Sequence, residues 1–193
     1  MPIRRSLAPG LLLAAPRLGD PNFERTVVLL ARHDESGALG WIVNGRAVGE
    51  VRELLASSML LPEGSEVPES PALSRVARVG GPVAPESGWV MYLRGAGALP
   101  GEIDVGDELA VTGDLSALRT VVAEARGDFR LLVGYAGWSP GQLDDELRAG
   151  SWLPADVDAE LVVSDAEDLW ERAYHRTIGA APAAFVSARG GSA

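Results

Sequence analysis

Apolar positions along this chain gather into short blocks separated by Gly, Pro and acidic turns. Leu11–Ala14, Val27–Arg32, Leu39–Val43, Val76–Val79, Trp89–Leu93, Glu108–Thr112, Phe129–Tyr135 and Glu160–Val163 have the length and composition of strands. Asp34-Glu35-Ser36-Gly37, between the second and third runs, predicts a hairpin. Helical spacing appears at 51–58, 115–126, 142–149 and 166–178. In the 115–126 segment, Leu115, Leu118, Val121, Val122 and Ala125 share one face behind Asp114 as cap. These four helices follow clusters of strands instead of alternating with them, which predicts an α+β fold.

Residues 62–75 read as a Pro/Ser/Glu-rich loop, and 180–193, rich in Ala, Gly and Ser, as a flexible C-terminal tail. The rest, 1–179, suits a single domain, and no internal repeat is present. Composition is that of an ordinary globular chain, 47% hydrophobic and 23% charged.

Charge narrows the function classes. The net charge of −10 and a pI near 4.7 oppose direct binding to nucleic acid or anionic membrane. Its 17 basic residues are all Arg and form no dense run. With no Cys, disulfides, thiolate metal sites and a Cys nucleophile are excluded. Arg4-Arg5 before Leu11-Leu12-Leu13 imitates a secretory signal, but Pro9-Gly10 interrupts it and a first strand is expected instead. No apolar run approaches the ~20 residues of a membrane-spanning helix, so a cytoplasmic location is expected.

Gly137-Trp138-Ser139-Pro140-Gly141 matches the G-x-S-x-G nucleophile elbow, and Asp165, Asp168 and His175 follow in the order of an α/β-hydrolase triad. Pro140 opposes a serine hydrolase using Ser139: the residue after that nucleophile must donate its N–H to the oxyanion, and proline has none. A helix start explains the segment better. Ser139 and Gln142 have capping-box spacing, Pro140 suits the first helical position, Leu143 and Leu147 share a face, and Gly150 supplies the stop. Ser139→Ala would then cost about 1 kcal/mol. Asp165 is expected to cap the last helix, with Asp168 in its first turn and His175, Arg172 and Arg176 toward its C-terminal end.

Three blocks together carry a resemblance. The first runs from Leu11-Leu12-Leu13-Ala14 through Asp20-Pro21-Asn22-Phe23 and Val27-Val28-Leu29-Leu30 to His33, Gly37-Ala38, Gly40 and Asn44. The second is Gly80-Gly81-Pro82-Val83. The third is Tyr135-Ala136-Gly137-Trp138 with Gly141-Gln142-Leu143, Trp152 and Asp168-Leu169-Trp170. In this order, over positions 7–178, the chain resembles the bacterial YqgE/AlgH family. The resemblance implies a curved, bifurcated, mixed or antiparallel sheet, no cofactor and no established catalytic activity. It also implies a transcriptional-regulator label for one branch. The chain departs from the pattern at Gly45-Arg46, where Arg-Pro is usual, and at Ser139, where glycine is frequent.

The expected site is a loop surface joining Asp20, Asn22 and Arg25 to Asn44, to Arg78 with Gly80 and Gly81, and to the Trp138–Gln142 corner, because loops on a rigid scaffold usually carry function. Asp20-Pro21-Asn22-Phe23 also reads as a turn whose Phe23 plugs the core. No residues are assigned to catalysis or to a metal; His33 beside Asp34 and Glu35 reads as a solvated turn. The expectation is a non-enzymatic regulatory or binding protein with a protein or small-molecule partner. The rivals are the Ser139 hydrolase and a DNA-binding regulator, for which no helix-turn-helix is evident: helices 142–149 and 166–178 are separated by an expected strand.

Overall fold

A computed structural model describes residues 6–57, 69–94, 97–114, 116–123, 129–165 and 167–179. Its elements are β1 (Gly10–Ala14), β2 (Val27–Asp34), β3 (Gly37–Ile42), β4 (Ala47–Glu50), α1 (Val51–Ala56), a 3-10 turn at Pro71–Ser74, β5 (Val76–Val79) and β6 (Val83–Leu93). There follow β7 (Ile103–Asp104), β8 (Leu109–Thr112), α2 (Ala117–Ala123), β9 (Phe129–Trp138), α3 (Gln142–Arg148), β10 (Trp152–Ala155), α4 (Ala159–Val163) and α5 (Leu169–Ile178). The class is α+β. Among the described residues the strands form one ten-stranded sheet, in the order β10-β1-β2-β3-β9-β6-β8-β7, with β4 joined through β5 to β9. The β5–β9 pairing is parallel and the others are antiparallel.

The sheet divides along β9. On one edge of this strand, Leu132 and Val133 pair with Arg78 and Val79 of β5, while Ala136–Trp138 pair with Ala38–Gly40 of β3. Gly134 sits between the two sets at φ +71°, a left-handed conformation that bends the strand at little steric cost. Gly80 fills the gap this leaves. Its N–H donates to Val133 O (2.7 Å), and its carbonyl accepts from Ile42 N–H (2.8 Å), so one residue links β9 to the end of β3. On the other edge, β6 follows the bend with an irregularity: Val83 faces Tyr135, yet the next paired residue, Gly88, faces Val133.

Both faces of the divided sheet are covered, which explains why Leu11-Leu12-Leu13 and Val27-Val28-Leu29-Leu30 are apolar without alternation. Leu11, Leu13, Val27 and Leu29 enter a cluster with α4, α5 and residues of β6 and β8. Leu12, Ala14, Val28 and Leu30 point the other way, toward Leu143 of α3, Trp138 and Trp152. A third cluster packs α1 and α2 on the outer face of β6, β8 and β9 through Val51, Leu55, Leu118, Val121, Tyr92 and Leu131. Trp170 Nε1 and Tyr174 Oη both donate to Ala14 O, tying α5 to the end of β1. Burial pushes the Tyr174 phenol up to about 12, so it remains a donor throughout the neutral range.

The hairpin forms as expected. Asp34 pairs with Gly37, and hydrogen bonds from Ser36 hold the Asp34 carboxyl below its ordinary pKa. All four expected helices are present within the described residues, although 58, 115, 124–126 and 166 lie outside them. Of the expected 62–75 loop, 62–68 lie outside the described residues and Pro71–Ser74 is a 3-10 turn capped by Ser70. The expected tail, 180–193, lies outside as well.

Two expectations are corrected. Residues 160–163 are helical: Asp158 Oδ1 accepts from Leu161 N–H as an N-cap, and Leu161, Val162 and Val163 are all buried, so the apolar run reports burial and not extension. The strand of this region is β10, antiparallel to β1. Asp165 does not cap α5, whose N-cap is Asp168 without a side-chain bond. Asp165 instead lies 3.5 Å from Arg75 Nη1 and 3.6 Å from the buried Arg130 Nη1, and Arg130 also donates to Val162 O and Ser164 O at the C-terminal end of α4.

The crossing at the split yields a stability prediction. A Cβ at Gly81 (φ +153°) would overlap the Tyr135 carbonyl and Ala136 N, whereas Gly141 (φ +77°) has open space around it. Gly81→Ala should therefore cost about 2–4 kcal/mol in urea unfolding, through overlap added to backbone strain. Gly141→Ala should cost only about 1 kcal/mol, from its left-handed backbone alone. Equal losses for the two variants would remove the crossing from its structural role.

Candidate functional site: the cleft at the sheet split

Two of the three sequence blocks meet in a cleft of about 340 Å³. Asn22 approaches from the loop before β2, Ile42 from the end of β3, Arg46 from the β3–β4 connection, Val48 from β4, and Gly81-Pro82 from the β5–β6 connection. Val48 is an exposed large apolar side chain, as is Val83 immediately after Pro82. The cleft thus offers an apolar surface with a guanidinium and a carboxamide at its polar positions. Ligand sites commonly combine these features.

Several expected site residues are engaged in holding this geometry. Asn44 accepts from Val27 N–H (2.8 Å) and donates to Arg25 O (2.9 Å), clamping the 20–26 loop against the sheet. Asp20 forms the turn itself, accepting from Asn22 N–H through Oδ1. Arg25, at φ +53°, pairs with Glu171 and lies over the Trp170 ring, so it joins the loop to α5. Arg78 donates to Gly45 O, and Gly80 and Gly81 are required by the crossing already described. Asn22 and Gly81 line the cleft; Asn44, Arg78 and Gly80 stand behind it.

Trp138 and Gln142 belong to a different construction. Phe23, Trp138 and Trp152 pack together with ring centroids 5.5–6.1 Å apart, and both tryptophans are at least 94% buried. Glu146 Oε2 accepts from both indoles (3.0 and 2.7 Å), and its Oε1 accepts from Gln142 Nε2 (2.9 Å). One carboxylate therefore satisfies two largely buried donors and joins α3 to β9 and β10. The sequence signal for Glu146 was its i+4 spacing from Gln142; its two indole partners depend on strands brought together only by folding.

Ser139 is exposed and is not the helix cap. The N-cap of α3 is Gly141 in a left-handed conformation; Ser139–Gln142 is a turn in which Gln142 Oε1 accepts from Ser139 N–H and Oγ–H. Gly150 does supply the stop: its N–H reaches Leu147 O while Ser151 N–H reaches Glu146 O, the Schellman arrangement. His33 is not a solvated turn residue. Its side chain is 11% exposed and its Nε2 is 3.6 Å from Asp144 of α3. No group of three or more potential metal ligands occurs among the described residues.

Removing the shared acceptor should be expensive. Glu146→Ala is expected to cost about 2–4 kcal/mol in chemical unfolding, since it leaves two largely buried indole N–H groups unpaired. Glu146→Gln, which keeps a side-chain oxygen, should lose less than half of that. Ser139→Ala should stay within about 0.5 kcal/mol, as for ordinary surface substitutions. A large loss at Ser139 with little at Glu146 would invert the assignment.

The comparisons with known proteins agree with this architecture. A family model described as DUF179, AlgH-like, matches residues 11–182. A UPF0301 protein of Anaeromyxobacter sp. (strain Fw109-5) is 40% identical over 99% of this chain and 98% of its own length. One from Myxococcus xanthus (strain DK1622) is 38% identical over 96% and 98%. The solution structure of the AlgH protein from Pseudomonas aeruginosa superposes with a TM-score of 0.74 at 26% identity, covering 100% of this chain and 99% of that one. A crystal structure of a Corynebacterium diphtheriae protein shares the fold, with a TM-score of 0.68 at 21% identity over 88% and 86%. With its β9 split and Gly80-Gly81 crossing embedded in the matched region, the chain belongs to the AlgH-like family.

Proposed function

We propose that this protein is a non-catalytic binding or regulatory protein acting through a protein or small-molecule partner, which it engages at the cleft of the sheet split. The observation that carries the reading is convergence. Asn22, Arg46, Val48 and Gly81, distant in sequence, line one concavity whose backbone is held by Asn44, Gly80 and Gly134. Preorganised backbone with exposed apolar and cationic side chains favours recognition, because little ordering entropy remains to be lost on binding. Ser139 supports no hydrolase, since its hydroxyl is bonded to Gln142 and the next residue lacks an N–H.

Any effect on transcription would be indirect in this reading. The arginines best placed to form a basic face are largely engaged within the chain: Arg52 with Ser70 O, Arg75 with Phe129 O and Asp165, and Arg78 with Gly45 O. The overall −10 charge opposes phosphate binding. Helices α3 and α5 are separated by β10 and α4, which leaves this pair without the tight turn of a helix-turn-helix.

Arg46→Ala and Val48→Asp, both at exposed positions, should leave the melting temperature within about 2 °C of wild type. Each should reduce capture of the partner recovered by affinity purification from native lysate by about fivefold or more. Unchanged capture by both variants would remove the cleft from the reading. In fluorescence polarisation against genomic fragments at physiological salt, no saturable binding is expected; sub-micromolar affinity with a steep salt dependence would replace the proposal with direct DNA binding.

A further inference from the structure

The cleft at the sheet split keeps apolar surface open to solvent. In its lining Val48, Pro82 and Pro85 are exposed, and Val79 and Val133 are half-buried, so the core has not consumed their contact area. The polar groups beside them are few and unengaged. Neither the Arg46 guanidinium nor the Asn22 carboxamide bonds to another described residue; Asn22 uses only its backbone N–H, toward Asp20. No carboxylate is among the lining residues, although the chain carries 27 acids against 17 bases. Elsewhere acids claim the arginines: Arg25 pairs with Glu171, Arg94 with Glu102 and Asp104, and Arg176 with Asp158. Arg46 presents its charge beside apolar surface with no anion in the lining to neutralise it.

Backbone strain falls in the same loops. Among the described residues, Arg25 (φ +53°) and Ala84 (φ +45°) are the non-glycine residues in a left-handed conformation. Arg25 lies in the loop that carries Asn22, and Ala84 lies between the lining residues Pro82 and Pro85. Such conformations persist where surroundings impose them, and they cluster at ligand sites. Both are held here without a ligand. Arg25 O accepts from Asn44, and Ala84 O accepts from Ser87 Oγ–H (2.8 Å).

Charge and size then select the ligand. A guanidinium can donate two parallel N–H bonds to a carboxylate or to a phosphate. One cation balances one carboxylate. A phosphate monoester, near charge −2, calls for a second cation or a helix N-terminus, and the lining contains neither. Asn22 adds a neutral donor, which suits a carboxylate oxygen. A volume of about 340 Å³ lies at the small end of ligand cavities.

We infer that the cleft takes a small monocarboxylic acid, with its carboxylate on Arg46 and its hydrocarbon body against Val48, Val79 and Val133. This rests on the proposal that the cleft is a binding site and names the chemistry of what it binds.

The probe is octanoate, titrated into the full ¹⁵N-labelled chain, with octanamide as its neutral counterpart. Saturable shifts are expected at the Asn22 side-chain amide, Arg46 Nε–H and the amides of Val48, Gly81 and Val133, with Kd on the order of 0.1–1 mM. Octanamide should bind at least about fivefold more weakly, and Arg46→Gln should weaken octanoate about tenfold while leaving octanamide nearly unchanged. Arg148→Gln, which removes an exposed cation elsewhere, should leave octanoate within about twofold of wild type. Equal binding of acid and amide, or equal weakening by the two arginine variants, would overturn the carboxylate assignment. Tighter binding of octyl phosphate than of octanoate would give the guanidinium to a phosphate and overturn it as well. If no small molecule binds while Arg46→Ala and Val48→Asp still abolish partner capture, this inference falls and the cleft remains a protein-binding site. If capture is also unaffected, the binding reading of the cleft falls with it.

Discussion

The fold depends on a close approach of backbone at the middle of the sheet. Gly134 bends β9, Gly80 bridges Val133 to Ile42, and Gly81 lies against the Tyr135 peptide with no room for a side chain. Without that contact, β3 and β5 could not occupy successive stretches of one edge of β9, and the strand could not serve both parts of the sheet. Hydrogen bonding sets the constraint. A strand edge that changes partners must satisfy its donors and acceptors through the change, and the backbone of Gly80 does so at the crossing. The cleft beside it is the external side of the same division.

Polar side chains elsewhere extend this logic. Asn44 serves as a backbone surrogate for the loop before β2, Glu146 accepts from two largely buried indoles, and Arg130 holds the carbonyls that end α4. Each secures a connection too short or irregular for regular pairing. Buried or half-buried, such groups contribute through what their removal would leave unsatisfied. Consequently a polar residue in a loop of this fold is often structural. Arg46 stands apart because no side-chain partner engages it among the described residues.

Much of this was legible in the linear chain. Seven of the eight strand segments, the hairpin, the four helices and the α+β class follow from apolar run length, helical spacing and turn chemistry, which act between neighbours in sequence. So does the rejection of Ser139 as nucleophile, which needs only the missing N–H of Pro140. Residues 160–163 misled because four of the five residues of this short helix are buried, which leaves too little polar face to mark it as a helix. Asp165 misled because its spacing suited a cap, whereas two arginines distant in sequence, Arg75 beside β5 and Arg130 in β9, claimed its carboxylate.

Only the tertiary structure decided which candidate residues meet. The three blocks could be read as one surface, but their side chains divide: Asn22 and Gly81 reach the cleft, while Phe23, next to Asn22 in sequence, packs with the buried Trp138 and Trp152. The cleft has no signature in sequence, since it assembles side chains from strands and loops brought together across long separations. Local propensity acts over a few residues, and the sequence could determine what such short range controls. Convergence depends on where β9 bends and which strands its two edges accept, a choice made by packing and by the need to pair every buried peptide.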